Sequence, residues 1–257
     1  MMYWITFVQY LFLITVQTLC SMKADGFTVM FLYPAPGNLN QSEMHLNSEL
    51  LFKEYALIYF KDGMKVLEIG PSGIPSPYQK LVNNPTITWH TLDLYNSYPN
   101  ITYVSGEEYN YPIDRDAYDL VVSGQVIEHV KKIWLWLDEI KRIVRKDGII
   151  IIINPVSWPY HAHPVDCWRI FPDGMKALCE QSNLNVLFCE YKSIEAEHFA
   201  TTKTPTVPGQ SYPLLNYRGR ISFIRIWNSI LYCIPGIRKF RVPIEVAYDT
   251  ISILNKS

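Results

Sequence analysis

Apolar side chains in this chain change their repeat several times, and each change marks an element. From Leu46 to Phe60 they recur at Leu46, Leu50, Leu51, Ala56, Tyr59 and Phe60, close to helical spacing, and Lys61-Asp62-Gly63 closes the stretch. One helix is expected there. Lys65-Val66-Leu67-Glu68-Ile69 comes next, a short apolar run stopped by Gly70-Pro71-Ser72-Gly73, the pattern of a buried parallel strand ending in a tight turn. Further strands are expected at 87–92, 101–104, 119–123, 149–153 and 186–191. Between the fourth and fifth strands lies an amphipathic helix with Val130, Ile133, Trp134, Leu137, Ile140 and Val144 on one face, ending at Asp147-Gly148. Ile149 to Ile153 is apolar at every position and needs cover on both faces. Strands alternating with helical stretches predict an α/β chain built on a doubly wound, mostly parallel sheet. Ala247 to Leu254 alternates like one more strand.

The two ends read differently. Residues 1–22 carry no charged side chain, and Tyr3 to Ile14 is apolar enough to begin a membrane span. Three readings compete: a secretory signal, which lacks basic residues and has a poor cleavage site at Thr18-Leu19-Cys20; a membrane anchor, diluted by Thr6, Gln9, Thr15, Gln17 and Thr18; and an apolar segment preceding a true start at Met22 or packed on the domain. Residues 23–45 are expected to be a linker and residues 46–257 the main domain. Within it, 201–243 reads as an insert: a Thr-, Pro- and Gly-rich loop over 201–219, an aromatic helix from Arg220 to Ile234, and the basic run Arg238-Lys239-Phe240-Arg241. It could close over a cleft, lie on a membrane surface, or pack on the sheet.

Bulk composition narrows this little. With 49% hydrophobic residues in 257, the chain buries a full core, which excludes disorder and coiled coil. The 23 basic and 24 acidic residues balance, so nothing steers the chain to nucleic acid. Five scattered cysteines without a C-x-x-C pair indicate neither zinc knuckle nor disulfide framework, and a reducing, cytoplasmic setting is expected.

In such a sheet ligands bind outside the carboxyl ends of the strands. After strand one, Gly70, Ser72 and Gly73 let backbone approach a ligand closely, with Glu68 two residues before the first glycine. Asp93 closes strand two, 23 residues beyond Gly70, where an acid can accept both hydroxyls of a ribose. Glu107 comes after strand three, and Gln125 after strand four, leading into Glu128-His129. A nicotinamide enzyme would also place an acid after strand two, but Gly70-Pro71-Ser72-Gly73-Ile74-Pro75 does not supply G-x-G-x-x-G, and no P-loop lysine is present after it.

From about Leu50 to Tyr191 the chain resembles the class I S-adenosylmethionine-dependent methyltransferases. Val66-Leu67-Glu68-Ile69-Gly70-Pro71-Ser72-Gly73 is similar to their first motif, Asp93 to their ribose-binding acid, and Tyr111 to Val122 to the segment entering strand four. Gln125-Val126-Ile127-Glu128-His129-Val130 is similar to the segment that leaves that strand in many small-molecule members. The second glycine of the common pattern is here Ser72. The resemblance implies a Rossmann-like seven-stranded sheet with an antiparallel last strand. It also implies S-adenosylmethionine as cofactor, held by Glu68, Gly70, Ser72, Gly73, Asp93, Glu107 and Gln125, and methyl transfer to a small acceptor. A nicotinamide-binding or non-catalytic, membrane-attached protein of the same fold is the alternative.

If the acceptor is a hydroxyl, a base must take its proton. His161 and His163 in Tyr160-His161-Ala162-His163-Pro164-Val165-Asp166-Cys167-Trp168-Arg169 are the candidates, with His129, Asp166, Trp168 and Arg169 as acceptor-binding residues, although Asp166 and Arg169 could equally pair to hold the loop. The stretch resembles one in bacterial methyltransferases encoded near glycan-modifying enzymes, which implies a glycan or small molecule as acceptor. No metal is expected, because His161, His163 and Asp166 would offer three ligands in one loop without a fourth. Glu128 and His129 are adjacent on an expected helix, point about 100° apart, and are not expected to face one target. Glu128 is expected to serve as a helix N-terminal charge.

Overall fold

The computed structural model describes residues 18–24, 27–33, 46–162, 164–200, 206–208, 220–241 and 244–256. The chain divides into two compact units, Met1–Ser42 and Glu43–Ser257. In the first, β1 (Thr18–Ala24) and β2 (Phe27–Tyr33) form an antiparallel hairpin. Residues 23–45, expected as linker, thus contain a strand, as the β-branched and aromatic run Phe27-Thr28-Val29-Met30-Phe31-Leu32-Tyr33 favours. The expected apolar segment 1–22 lies outside the described residues up to residue 17 and ends in β1. Among the described residues no helix is long and apolar enough to cross a membrane.

The second unit opens with α1 (Leu46–Leu51), prolonged by a π turn over Phe52–Ala56 and a 3-10 turn over Leu57–Tyr59. After these come β3 (Lys65–Ile69), α2 (Pro77–Val82), β4 (Thr88–Asp93), β5 (Tyr103–Val104), β6 (Tyr118–Gly124), α3 (Ile133–Ile143), β7 (Val144–Pro155), α4 (Pro172–Ser182), β8 (Asn185–Lys192), α5 (Ile194–Ala200), β9 (Thr206–Pro208), α6 (Arg220–Cys233), β10 (Ile244–Val246) and β11 (Asp249–Asn255). The main sheet has the order β5-β4-β3-β6-β7-β11-β8. Its first five strands are mutually parallel, and β11 runs antiparallel to both β7 and β8. The expected seven-stranded, doubly wound sheet with an antiparallel last strand is therefore the fold.

Alternate residues of the central strands feed two cores. Leu67, Val121, Ile150 and Ile152 pack with α3 and α4, while Val66, Leu120, Ile151 and Ile153 pack with α1 and Tyr78 of α2. Period-two side-chain placement with apolar residues at every position is what a sheet covered on both faces requires. The α3 helix differs from expectation. It starts at Ile133 and stops at Ile143, where Val144 turns extended, and its buried face is Ile133, Trp136, Leu137, Ile140 and Ile143 rather than one including the half-exposed Trp134.

The expected 201–219 loop falls mostly outside the described residues. Thr206–Pro208 pairs in parallel with β10. Helix α6 packs through Ile224 on Ala196, Ile244 and Val246, and exposes Ile226, Trp227 and Ile230.

Candidate active site

The sheet order reverses between β3 and β6, so the loops leaving their carboxyl ends part and leave a crevice, the place where ligands bind in open α/β sheets. Gly70 opens that crevice. Its φ is +68°, its N–H donates to the Leu92 carbonyl at 2.9 Å, and a Cβ there would meet Val126 Cγ2 at 2.4 Å, so a side chain would be strained and obstructed at once. At Gly73 a Cβ would meet nothing nearer than the Pro75 carbonyl at 4.0 Å, which leaves the turn open to a ligand. Ser72 between them is half-buried.

Asp93 ends β4, next to this turn. It is half-buried, and among the described residues its Oδ1 accepts only a long contact from the Tyr95 N–H at 3.5 Å. Its carboxylate therefore has lone pairs to offer, as an adenosine ribose requires. Glu107 lies exposed in the loop after β5, where its main chain is folded by Ser105 Oγ, which donates to the Glu107 carbonyl at 2.8 Å. The open turn and the acid fit an adenosyl group.

Two of the expected cofactor contacts are hydrogen-bonded within the protein. Glu68 is buried beneath the turn, its Oε2 accepting from Ser76 Oγ at 2.5 Å and Trp89 Nε1 at 2.9 Å. Burial pushes its carboxyl up to about 7, against the hydrogen bonds from Ser76 and Trp89. It braces the loop from beneath. Gln125, at φ +59°, donates through Nε2 to Ser48 Oγ at 2.6 Å and Asp249 Oδ1 at 3.2 Å. Asp249 is fully buried at the start of β11, accepts from Asn47 Nδ2 at 2.7 Å, and is pushed up to about 7 by burial. Gln125 thus joins a buried polar knot of Asn47, Ser48 and Asp249 that sequence reasoning missed. No local signal marks it, since its members come from α1, the β6 end and β11.

The loop after β7 supplies the other wall. Asp166, its side chain 2% exposed, receives both Arg169 terminal nitrogens, at 2.5 Å on Oδ1 and 2.8 Å on Oδ2, and the His161 N–H at 2.8 Å. Hydrogen bonds from Arg169 hold the Asp166 carboxyl down to about 2. The remaining Arg169 hydrogen bonds go to the carbonyls of Trp158, Pro159 and Trp168. This pair is therefore a brace within the loop rather than a grip on an acceptor. Trp168 is similarly engaged, donating Nε1 to the Val130 carbonyl at 2.8 Å. His163 lies outside the described residues.

His161 is brought against His129, with ring centroids 4.9 Å apart and planes at 86°. Glu128 joins them, its Oε1 3.8 Å from His129 Nε2. This corrects the expectation that Glu128 and His129 diverge and that Glu128 is a helix-end charge. They sit in a 3-10 turn over Ile127–His129, before α3 begins, and Glu128 is fully buried. The angular argument fixes Cβ directions, whereas the tips of these longer side chains fold back to a common point. Burial pushes the Glu128 carboxyl up to about 8.

A family model described as "Methyltransferase domain" matches residues 84–152. Among solved structures, a chain of the complex formed by the Haloferax volcanii Trm112 methyltransferase activator with a methyltransferase superposes with TM-score 0.50 at 15% identity, covering 81% of this chain and 91% of that one. Phosphoethanolamine N-methyltransferase 2 of Haemonchus contortus gives 0.47 at 14% identity, covering 82% and 52%, and an S-adenosylmethionine-dependent methyltransferase of Aquifex aeolicus gives 0.44 at 12%, covering 85% and 93%. No curated protein matches by sequence. The matched residues run from just before β4 into β7, so a methyltransferase domain model covers the middle of the main sheet, including Asp93 and Gln125.

Proposed function

We propose that residues 46–257 are a catalytic domain transferring the methyl group of S-adenosylmethionine to a hydroxyl of a small-molecule or glycan acceptor. The observation that carries this is the pairing of the open Gly70–Gly73 turn with the Asp93 carboxylate at the ends of two adjacent strands. When bound, the cofactor supplies an electrophilic methyl on a sulfonium, so the protein's work is position and exclusion of water. Asp93 accepts the ribose hydroxyls, and backbone at Gly70, Ser72 and Gly73 lies along the adenosyl group. Glu68 and Gln125 hold that surface in shape from beneath. The acceptor hydroxyl enters beside His129, His161 and Glu128, a polar wall at which it can lose its proton.

Calorimetric titration of the folded protein with S-adenosylmethionine tests the cofactor half, and a flat trace rejects it. Incubating cell extracts with an isotopically labelled methyl donor and the protein, then searching by mass spectrometry for labelled products, tests the acceptor half. Label on a hydroxyl-derived ether supports the reading; label on nitrogen or carbon alone rejects O-methylation.

A further inference from the structure

We infer that Glu128, His129 and His161 bind one divalent transition-metal ion, such as Zn2+, at the acceptor end of the crevice. Each of the three offers one ligand atom, and these atoms all lie within 4.8 Å of one another. A tetrahedral ion with bonds of 2.0–2.2 Å sets its ligand atoms roughly 3.3–3.6 Å apart, so side-chain rotations of about an ångström close the site.

Glu128 supplies the first independent pointer to an ion. The fold gives its other buried carboxylates partners: Glu68 receives Ser76 and Trp89, and Asp249 receives Asn47 and Gln125. Glu128 is fully buried with no hydrogen-bond partner on either carboxylate oxygen among the described residues. An unsatisfied buried carboxylate is strongly disfavoured, and a cation removes that penalty.

The histidines supply the second. His129 Nδ1 lies 2.5 Å from the Val165 carbonyl, and His161 Nδ1 lies 3.0 Å from the Pro159 carbonyl. A carbonyl can only accept, so each Nδ1 carries the hydrogen and each Nε2 presents its lone pair. That is how metal-bound imidazoles are oriented, their second nitrogen tied to a carbonyl or carboxylate. Asp166, itself gripped by Arg169, adds a 3.3 Å contact to His161 Nδ1. Two imidazoles and one carboxylate suit Zn2+, Fe2+ or Co2+ better than Mg2+, which prefers oxygen ligands and its own waters. Three protein ligands leave a position open for a further oxygen.

What fills that position rests on the function proposed above; the ion's binding does not. An acceptor hydroxyl bound there becomes more acidic. It gives its proton to water, its oxygen forms the new bond to the methyl carbon as the carbon–sulfur bond breaks, and sulfur keeps the electron pair. In this arrangement the histidines hold the ion and do not themselves take the proton.

The full-length protein, stripped with a chelator and dialysed, is titrated with Co2+ while visible absorption is followed. The expected result is one equivalent bound with ligand-field bands of low-coordinate Co2+, displaced by Zn2+. His161→Asn, at a residue with a partly exposed side chain, and Glu128→Gln should each weaken binding by at least the roughly 10–100-fold that follows loss of a neighbour that only orients a ligand. Wild-type protein that takes up no Co2+, or a folded His161→Asn variant that binds as tightly as wild type, overturns the site. Asp93→Ala in the same titrations should lose S-adenosylmethionine yet keep Co2+. Loss of cofactor binding with Co2+ retained in wild type would count against methyl transfer alone; the reverse pattern would remove only the ion site.

Discussion

Asp93 shows how much one side chain decides here. Its carboxylate is the charged acceptor at the mouth of the first two strands, and it has almost no internal partner to lose. Replacing it with alanine should leave the fold unchanged and weaken S-adenosylmethionine by about 10-fold or more, since hydrogen bonds to a charged group are worth about 1.5–3 kcal/mol each. Calorimetry would read this, and an unchanged affinity would remove Asp93 from the site. The buried acids predict a pH dependence of stability. Burial holds Glu68 and Asp249 at about 7 in the folded chain, against about 4 when unfolded. The folded state binds more protons across that interval, so stability is greatest towards the acid side and falls as pH rises from about 4 to about 7. Asp166, held down to about 2, acts oppositely, and its contribution is lost only as pH falls from about 4 towards 2. Thermal melts between pH 4 and 8 should show a falling midpoint, less steep in Glu68→Gln. A midpoint that rises across this range would mean these carboxyls are not buried as described.

At the scale of elements, α2 carries an instructive miss. No helix was expected between the first two strands, yet Ser76 caps one, accepting from the Gln79 N–H at 3.0 Å, with Pro77 at the first helical position. That Ser-Pro start is a helix signal, and the proline-rich setting obscured it. The same Ser76 Oγ donates to Glu68 at the end of β3, so one hydroxyl ties that strand end to the helix beyond it. Ser76→Ala should destabilise the protein by about 2–4 kcal/mol, from the lost cap and an under-bonded buried carboxylate. A denaturant midpoint within error of wild type would show that the cap is not coupled to the turn. Strands β3, β4 and β6 were legible to within a residue because largely apolar runs closed by Gly or Asp mark them, whereas β7 begins at Val144, five residues before the expected Ile149. The ends of α3 were not, since apolar residues at Val130 and Val144 continue a helical repeat that the backbone abandons.

For the molecule as a whole, every residue assigned to the cofactor or to the ion lies in the Glu43–Ser257 unit. A chain beginning at Glu43 should therefore bind S-adenosylmethionine with the affinity of the full chain, which parallel titrations would measure; a large loss would show that the first 42 residues contribute to the site. The sequence by itself determined the layered α/β architecture, the open turn at Gly70–Gly73 and the acid at Asp93, because hydrophobic periodicity and strand-end chemistry are local properties read within a few residues. Tertiary structure alone decided which polar residues meet. His161 reaches Glu128 and His129 from the loop after the next strand because β6 and β7 are parallel neighbours whose carboxyl ends open on the same side. Likewise Asp249 takes Gln125 inward because β11 lies beside β7. Such meetings depend on register between distant strands, which no window of sequence encodes.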